Sequence, residues 1–176
     1  MITVSRDGVP VPGEWRKAEK PVIHFSFEVP GAGSFWRDTW DKARQRVGPA
    51  AISETDLCYK YFGVRAELVV NGVEVISGRG HRTLVDLALC LRHAVNRLSS
   101  GEDSAISFTE NDEVIRLRCE GDRVVITSSK RDWRVAVDRE ELVGAFVEFL
   151  REAHSCLTGF IPGLVDNPVI REFSPE

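Results

Sequence analysis

Asn71-Gly72 stands between a long β-type run, from about Leu57 to Val70, and a shorter one, from Val73 to Ser77. A two-residue turn of this kind needs positive φ at both positions, which asparagine and glycine tolerate best. The chain must reverse here, and the flanking runs must pair antiparallel. A reversal this tight cannot carry the crossover that a parallel pair requires, so the dipeptide turns the expectation toward a sheet of hairpins.

The rest of the pattern agrees. Ile23, Phe25, Phe27 and Val29 alternate with His24, Ser26 and Glu28, the period of a half-buried strand. Pro30 to Gly33 breaks it, and Ser34 is placed to cap a short helix from Phe35 to Val47. Trp36, Trp40, Ala43 and Val47 would share one face of that helix. Gly48-Pro49 ends it, and residues 49–55 read as a linker. Thr83 is a plausible cap for a second helix reaching Leu98, whose stripe is Leu84, Leu87, Ala88, Leu91, Ala94, Val95 and Leu98. Residues 104–137 read as an antiparallel meander punctuated at Asn111-Asp112, Gly121-Asp122 and Ser129 to Asp132. Asp138 then caps a third helix to Leu157, with Leu142, Phe146, Phe149, Leu150, Ala153 and Leu157 on one side.

The expected architecture is therefore α+β. An antiparallel sheet, built from hairpins and a meander, is packed by two long amphipathic helices and one shorter aromatic helix. Residues 1–176 form one domain in this reading. An extended Pro/Gly-rich segment covers about 1–20, with one short strand at Ile2 to Ser5, and a Pro-rich extended tail covers about 159–176.

Apolar residues make up 43% of the 176, enough for a packed core, and the net charge of −4 lacks the basic balance of a general nucleic-acid binder. No stretch reaches the ~18 apolar residues of a membrane span, and the N-terminus shows no apolar signal core, so a cytoplasmic location is expected. Cys58, Cys90, Cys119 and Cys156 each sit among apolar neighbours, as inert buried thiols do.

Gly78-Arg79-Gly80-His81-Arg82-Thr83 carries the strongest chemical hint. Two glycines and two arginines precede a helix start, where backbone N–H groups and the helix dipole favour an anion. The stretch matches neither the Walker pattern nor G-x-G-x-x-G, so a hinge between sheet and helix is the preferred reading and an anion or acidic-partner contact the alternative. Cys90 with His93, and His154 with Cys156, lack the paired spacing of structural zinc, so no metal and no cofactor are expected. No nucleophile elbow is present. Arg116 and Arg118 share a strand face and, with Trp133 nearby, raise a single-strand nucleic-acid platform against a solvated sheet face. Core packing is the simpler role for the aromatic residues of the first helix, and Phe35, off the main stripe, with Trp36 is the candidate for a recognition surface, because aromatic residues dominate interface hot spots.

The pattern YFGVRAELVVNGVEVIS…RTLVDLALCLRHAVNRL…SFTENDEVIRLRCEGDRVVI, residues 57–128, resembles small uncharacterised α+β proteins of actinomycete-type bacteria. It is also similar to immunity proteins of bacterial polymorphic-toxin systems. A well-patterned chain with no recognisable constellation of acid, base, nucleophile or metal leads to the expectation of a non-enzymatic protein-binding role of immunity or regulatory type. An acidic chain would suit a basic partner, and a homodimer is compatible. The alternative is a binder of, or enzyme acting on, a small anionic ligand such as phosphate or a nucleotide, using Arg79, His81, Arg82 and Thr83.

Overall fold

The computed structural model describes residues 23–175, so the expected segment 1–20 with its strand Ile2 to Ser5 lies outside the described residues. The fold is α+β with antiparallel strands. The strands divide between two four-stranded sheets. The first contains β1 (Ile23–Glu28), β2 (Gly63–Val70), β3 (Val73–Ile76) and β4 (His81–Thr83), with β2 pairing all three others. The second is a meander, β5 (Ser104–Ser107), β6 (Val114–Glu120), β7 (Arg123–Ser128) and β8 (Arg134–Asp138). At the β2–β3 turn Asn71 and Gly72 take φ of 50° and 80°, the left-handed pair that the hairpin demands.

Two long helices form the centre. In α3 (Leu84–Ser99) and α4 (Arg139–Phe160) every residue of the two expected stripes is buried. They pack on each other, and α4 also meets β1, β7 and β8 while α3 meets β5. Phe25 of β1 stacks on Phe149, ring centroids 4.0 Å apart, and meets Phe146 edge-on at 5.8 Å. The Asp138 carboxylate caps α4 by accepting from the Glu141 N–H at 3.0 Å.

Several local expectations change. The run read as strand from Leu57 begins instead as a helix, α2 (Glu54–Tyr59). Ser53 caps it by accepting from the Asp56 N–H at 3.2 Å, and Glu54 and Asp56 occupy its first turn, where the dipole favours acids. Phe62, at φ 60°, then turns the chain into β2. Short helix α1 (Phe35–Arg44) is capped by Ser34 as expected, but it stops before Val47, which is 97% exposed and contributes nothing to the face of Trp40 and Ala43. A 3₁₀ turn at Pro49–Ala51 replaces the linker. The tail is not extended either. Beyond α4 come a 3₁₀ turn (Pro162–Asp166) and the helical turn α5 (Pro168–Arg171), and Leu164, Ile170 and Phe173 enter the core. Fully buried Asn167 anchors this tail. Its amide donates to the Pro49 and Ile52 carbonyls at 3.1 and 3.0 Å, and its carbonyl oxygen accepts from the Val169 N–H.

The two sheets are tied together at the edge of β3. Arg131, in the turn between β7 and β8, donates to the Glu74 carbonyl at 2.7 Å and the Val75 carbonyl at 2.5 Å. Its Nε donates to Glu113 at 2.8 Å, and its guanidinium lies over the Trp133 ring. Asn71 at the hairpin tip adds a bond to the Ala136 carbonyl of β8 at 3.2 Å. One planar cation thus satisfies two edge acceptors and a carboxylate, which a lysine ammonium cannot match geometrically.

Burial by itself pushes the Glu113 carboxyl up, but hydrogen bonds from Ser128 and Arg131, with the charges of Arg131 and Arg82, hold it below its ordinary value. A carboxyl lowered on folding adds stability above its unfolded pKa and loses it as pH falls through the folded one. Arg131→Ala should cost ~2–4 kcal/mol by chemical denaturation at pH 7, and Arg131→Lys should restore less than half of that. The difference between wild type and Arg131→Ala should shrink as the pH drops below about 4. A pH-independent difference would show that Glu113 takes no part in the tie.

Candidate functional site

The outward face of the first sheet is assembled by register. Glu28, Arg65 and His81 form one cross-strand row from β1 through β2 to β4, and Ser26 and Glu67 begin the next. Between β3 and β4 the chain makes an excursion. Ile76 pairs with Leu68 and His81 pairs with Arg65, so residues 77–80 span the stretch opposite Ala66 and Glu67. A strand with this much extra chain must bulge. The Gly78-Arg79-Gly80 segment is that bulge, and the junction of sheet and helix lies further on, at Thr83 and Leu84. Beside it, Ser26, Glu28, Arg65, Glu67, Glu74 and Arg79 surround an open depression of about 430 Å³.

The aromatic helix docks at the end of this row. Trp40 Nε1 donates to the Gly63 carbonyl at 2.8 Å, and the Gly63 N–H donates to Thr39 Oγ1 at 3.0 Å. A Cβ at Gly63 would come within 2.6 Å of the Trp36 ring, so this close approach requires glycine. The Trp36 ring is thereby set flat on His81, centroids 4.4 Å apart and planes 9° from parallel. Phe35 meets Trp36 edge-on at 5.5 Å and is 71% exposed. Burial, and after it the charge of Arg65, lowers the His81 pKa, so the imidazole in the stack is neutral at pH 7.

The residues singled out in the sequence thus separate into three groups. Phe35, Trp36 and His81 come together, and His81 pairs in register with Arg65, which lines the depression along with Arg79. Arg82 turns to the opposite face of β4, and Thr83, on the same side of the strand as His81, is committed to internal partners. Arg82 is 6% exposed, lies over the Phe108 ring at 4.5 Å and donates to the Ser77 carbonyl. Thr83 does not cap α3 with its hydroxyl, which donates to the Cys58 carbonyl at 2.6 Å. Its N–H donates to the Glu110 carboxylate at 3.0 Å. A carboxylate therefore already occupies the helix start that the anion reading required, and neither Gly78 nor Gly80 adopts the left-handed conformation. Arg116 and Arg118 lie far along the chain on the second sheet, exposed on β6, while Trp133 takes the Arg131 cation instead of joining them.

A second hollow, about 630 Å³, lies between α2 and α3 and is lined in part by Cys58, Cys90, His93 and Asp86. Burial first, then Asp86, pushes the Cys58 thiol up to about 12 and the Cys90 thiol to about 11. Both remain protonated at neutral pH, which is the opposite of what a nucleophilic cysteine needs. All four cysteines are free, and among the described residues no cluster of His, Cys, Asp or Glu is arranged to hold a metal ion. Glu28, Arg65, Glu67 and Glu74 were not singled out in the sequence. Strand alternation places each on one side of its own strand, but only strand pairing gathers them.

No protein-family model matches the chain, and neither does any curated protein or solved structure.

The stack makes a direct spectroscopic prediction. The Cε1–H resonance of His81, assigned by its loss in His81→Gln, should titrate below the ordinary histidine range near 6.5. Trp36→Ala should move the midpoint back up, because removing the ring readmits water. A midpoint that does not move in Trp36→Ala would mean that the ring does not shield the imidazole.

Proposed function

We propose that the chain is a non-enzymatic protein-binding protein of immunity or regulatory type, and that it holds its partner on the outward face of the first sheet. The observation that supports this reading best is the Phe35–Trp36–His81 cluster. It presents an exposed aromatic group on a rigid support, directly beside a shallow, mixed-charge depression. Binding energy at protein interfaces concentrates in such aromatic anchors, and rigid ones lose little entropy on contact. Charges around them act mainly on specificity and association rate.

The depression has three glutamates and two arginines around it, in a chain of net charge −4. That balance suits a partner with basic side chains at its contact surface. It disfavours a free phosphate, which would meet Glu28, Glu67 and Glu74 as well as Arg65 and Arg79. Among the described residues no helix is long and apolar enough to cross a membrane. The proposal places the protein in the bacterial cytoplasm, and a homodimer remains compatible with it.

Capture from a lysate of the source organism tests this reading with two baits, the wild type and Phe35→Asp. Because Phe35 is largely exposed, the variant should keep its melting temperature. The wild type should retain one partner in stoichiometric amount. The variant should bind that purified partner at least ~30-fold more weakly, the loss of one hot-spot residue. Equal retention by both baits would remove the aromatic cluster from the interface. Thermal stabilisation by phosphate or a nucleotide, abolished by Arg79→Ala, would replace this reading with the small-ligand one.

A further inference from the structure

The second sheet also has a face turned to solvent, and its chemistry differs from that of the first. Register sets Ala105, Arg116, Thr127 and Arg134 in one cross-strand row. Arg118, Val125 and Ala136 form the next, and Glu120, Arg123 and Asp138 the third. Four arginines, Arg116, Arg118, Arg123 and Arg134, are exposed on these rows against two acids. Asp122 sits in the β6–β7 turn, beyond the last row.

The acids are already engaged. Asp138 caps α4. Glu120 pairs with Arg118 and lies 3.8 Å from Arg134, so one carboxylate is shared by two guanidinium groups. Among the described residues, no ion pair or hydrogen bond engages the side chain of Arg116 or Arg123. At the centre Val125 is only 5% exposed, with Arg118 and Ala136 as its neighbours across the strands.

From this we infer that the β5–β8 face is a docking surface for an acidic protein segment, separate from the partner surface on the first sheet. Charge complementarity selects the occupant. Guanidinium forks match carboxylates with two parallel bonds, and a surplus of them on one face of an acidic chain attracts a local concentration of acid. Nucleic acid fits less well. The rows contain no aromatic side chain on which a base could stack. Spacing agrees with a peptide. Arg116 and Arg118 are two residues apart on a strand, about 7 Å, which is the separation of alternate side chains on an extended acidic segment. Arg134 lies two strands from Arg116, about 10 Å away.

Fluorescence anisotropy with the full chain tests the inference, using two labelled probes. One is a peptide of alternating Glu and Ser, and the other is an oligo-dT of equal charge. The peptide should bind, and more weakly as salt rises. Arg116→Ser with Arg123→Ser should weaken it at least tenfold without changing the melting temperature. Glu120→Gln, which frees Arg118 and Arg134, should tighten it severalfold. Phe35→Asp should leave it unchanged. The inference is overturned if the peptide does not bind, if the arginine double variant binds it as wild type does, or if the oligonucleotide binds more tightly than the peptide. Release of the peptide by Phe35→Asp would move the site to the first sheet and overturn it equally.

Discussion

Both sheets close onto the apolar stripes of α3 and α4, and everything displayed on the outside is positioned by that burial. Neither sheet could hide its inner face alone. The stripe of α4 is shared, with Phe146 and Phe149 taking Phe25 of β1 while the same helix also rests on β7 and β8. Each fully buried Leu or Phe contributes about 1.5–3 kcal/mol relative to exposure, so these stripes outweigh the surface ion pairs in fixing the layers. Once the inner faces are committed, strand alternation forces the polar sets outward. The two candidate surfaces are consequences of that rule, one on each sheet.

The character of each surface then depends on how basic side chains are used. Arg82 and Arg131 are structural. One lies over Phe108 inside the protein, and the other holds the edge of β3 to the second sheet. Arg65 and Arg79 share their depression with three glutamates, whereas the four arginines of the second sheet meet two acids that are already engaged. Identical residue types thus serve as staple, as mixed-charge rim and as cationic field. Burial and the nearest carboxylate decide which role each takes.

Much of the fold is legible in the residues because the signals are local. Asn71-Gly72 can only reverse the chain, and the burial of Leu142, Phe146, Phe149, Leu150, Ala153 and Leu157 follows the helical period to the residue. Ser34 and Asp138 cap as their positions suggest. The failures have physical causes as well. Cys58 and Tyr59 have strand-like neighbours, but the Ser53 cap and two early acids won the segment for a helix. The prolines at 162 and 168 begin short helical turns, a place where a missing N–H costs nothing, instead of marking an extended tail.

The candidate site was legible only in pieces. Phe35 and Trp36 stand out as aromatic, and Arg79, His81, Arg82 and Thr83 as a basic loop, yet nothing in their spacing says that Trp36 lies on His81. That contact exists because Gly63 admits the ring where a larger residue would exclude it, 27 positions beyond Trp36. Nor does spacing say that Glu110 reaches the Thr83 N–H before any outside anion could. By itself the sequence determined the hairpin, the stripes of the two long helices, the caps at Ser34 and Asp138 and the side of its own strand on which each residue stands, since these rest on contacts within a few residues. Tertiary structure alone decided which strands are neighbours, which arginines are buried and which charges share a face, because those outcomes depend on pairings between segments far apart in the chain.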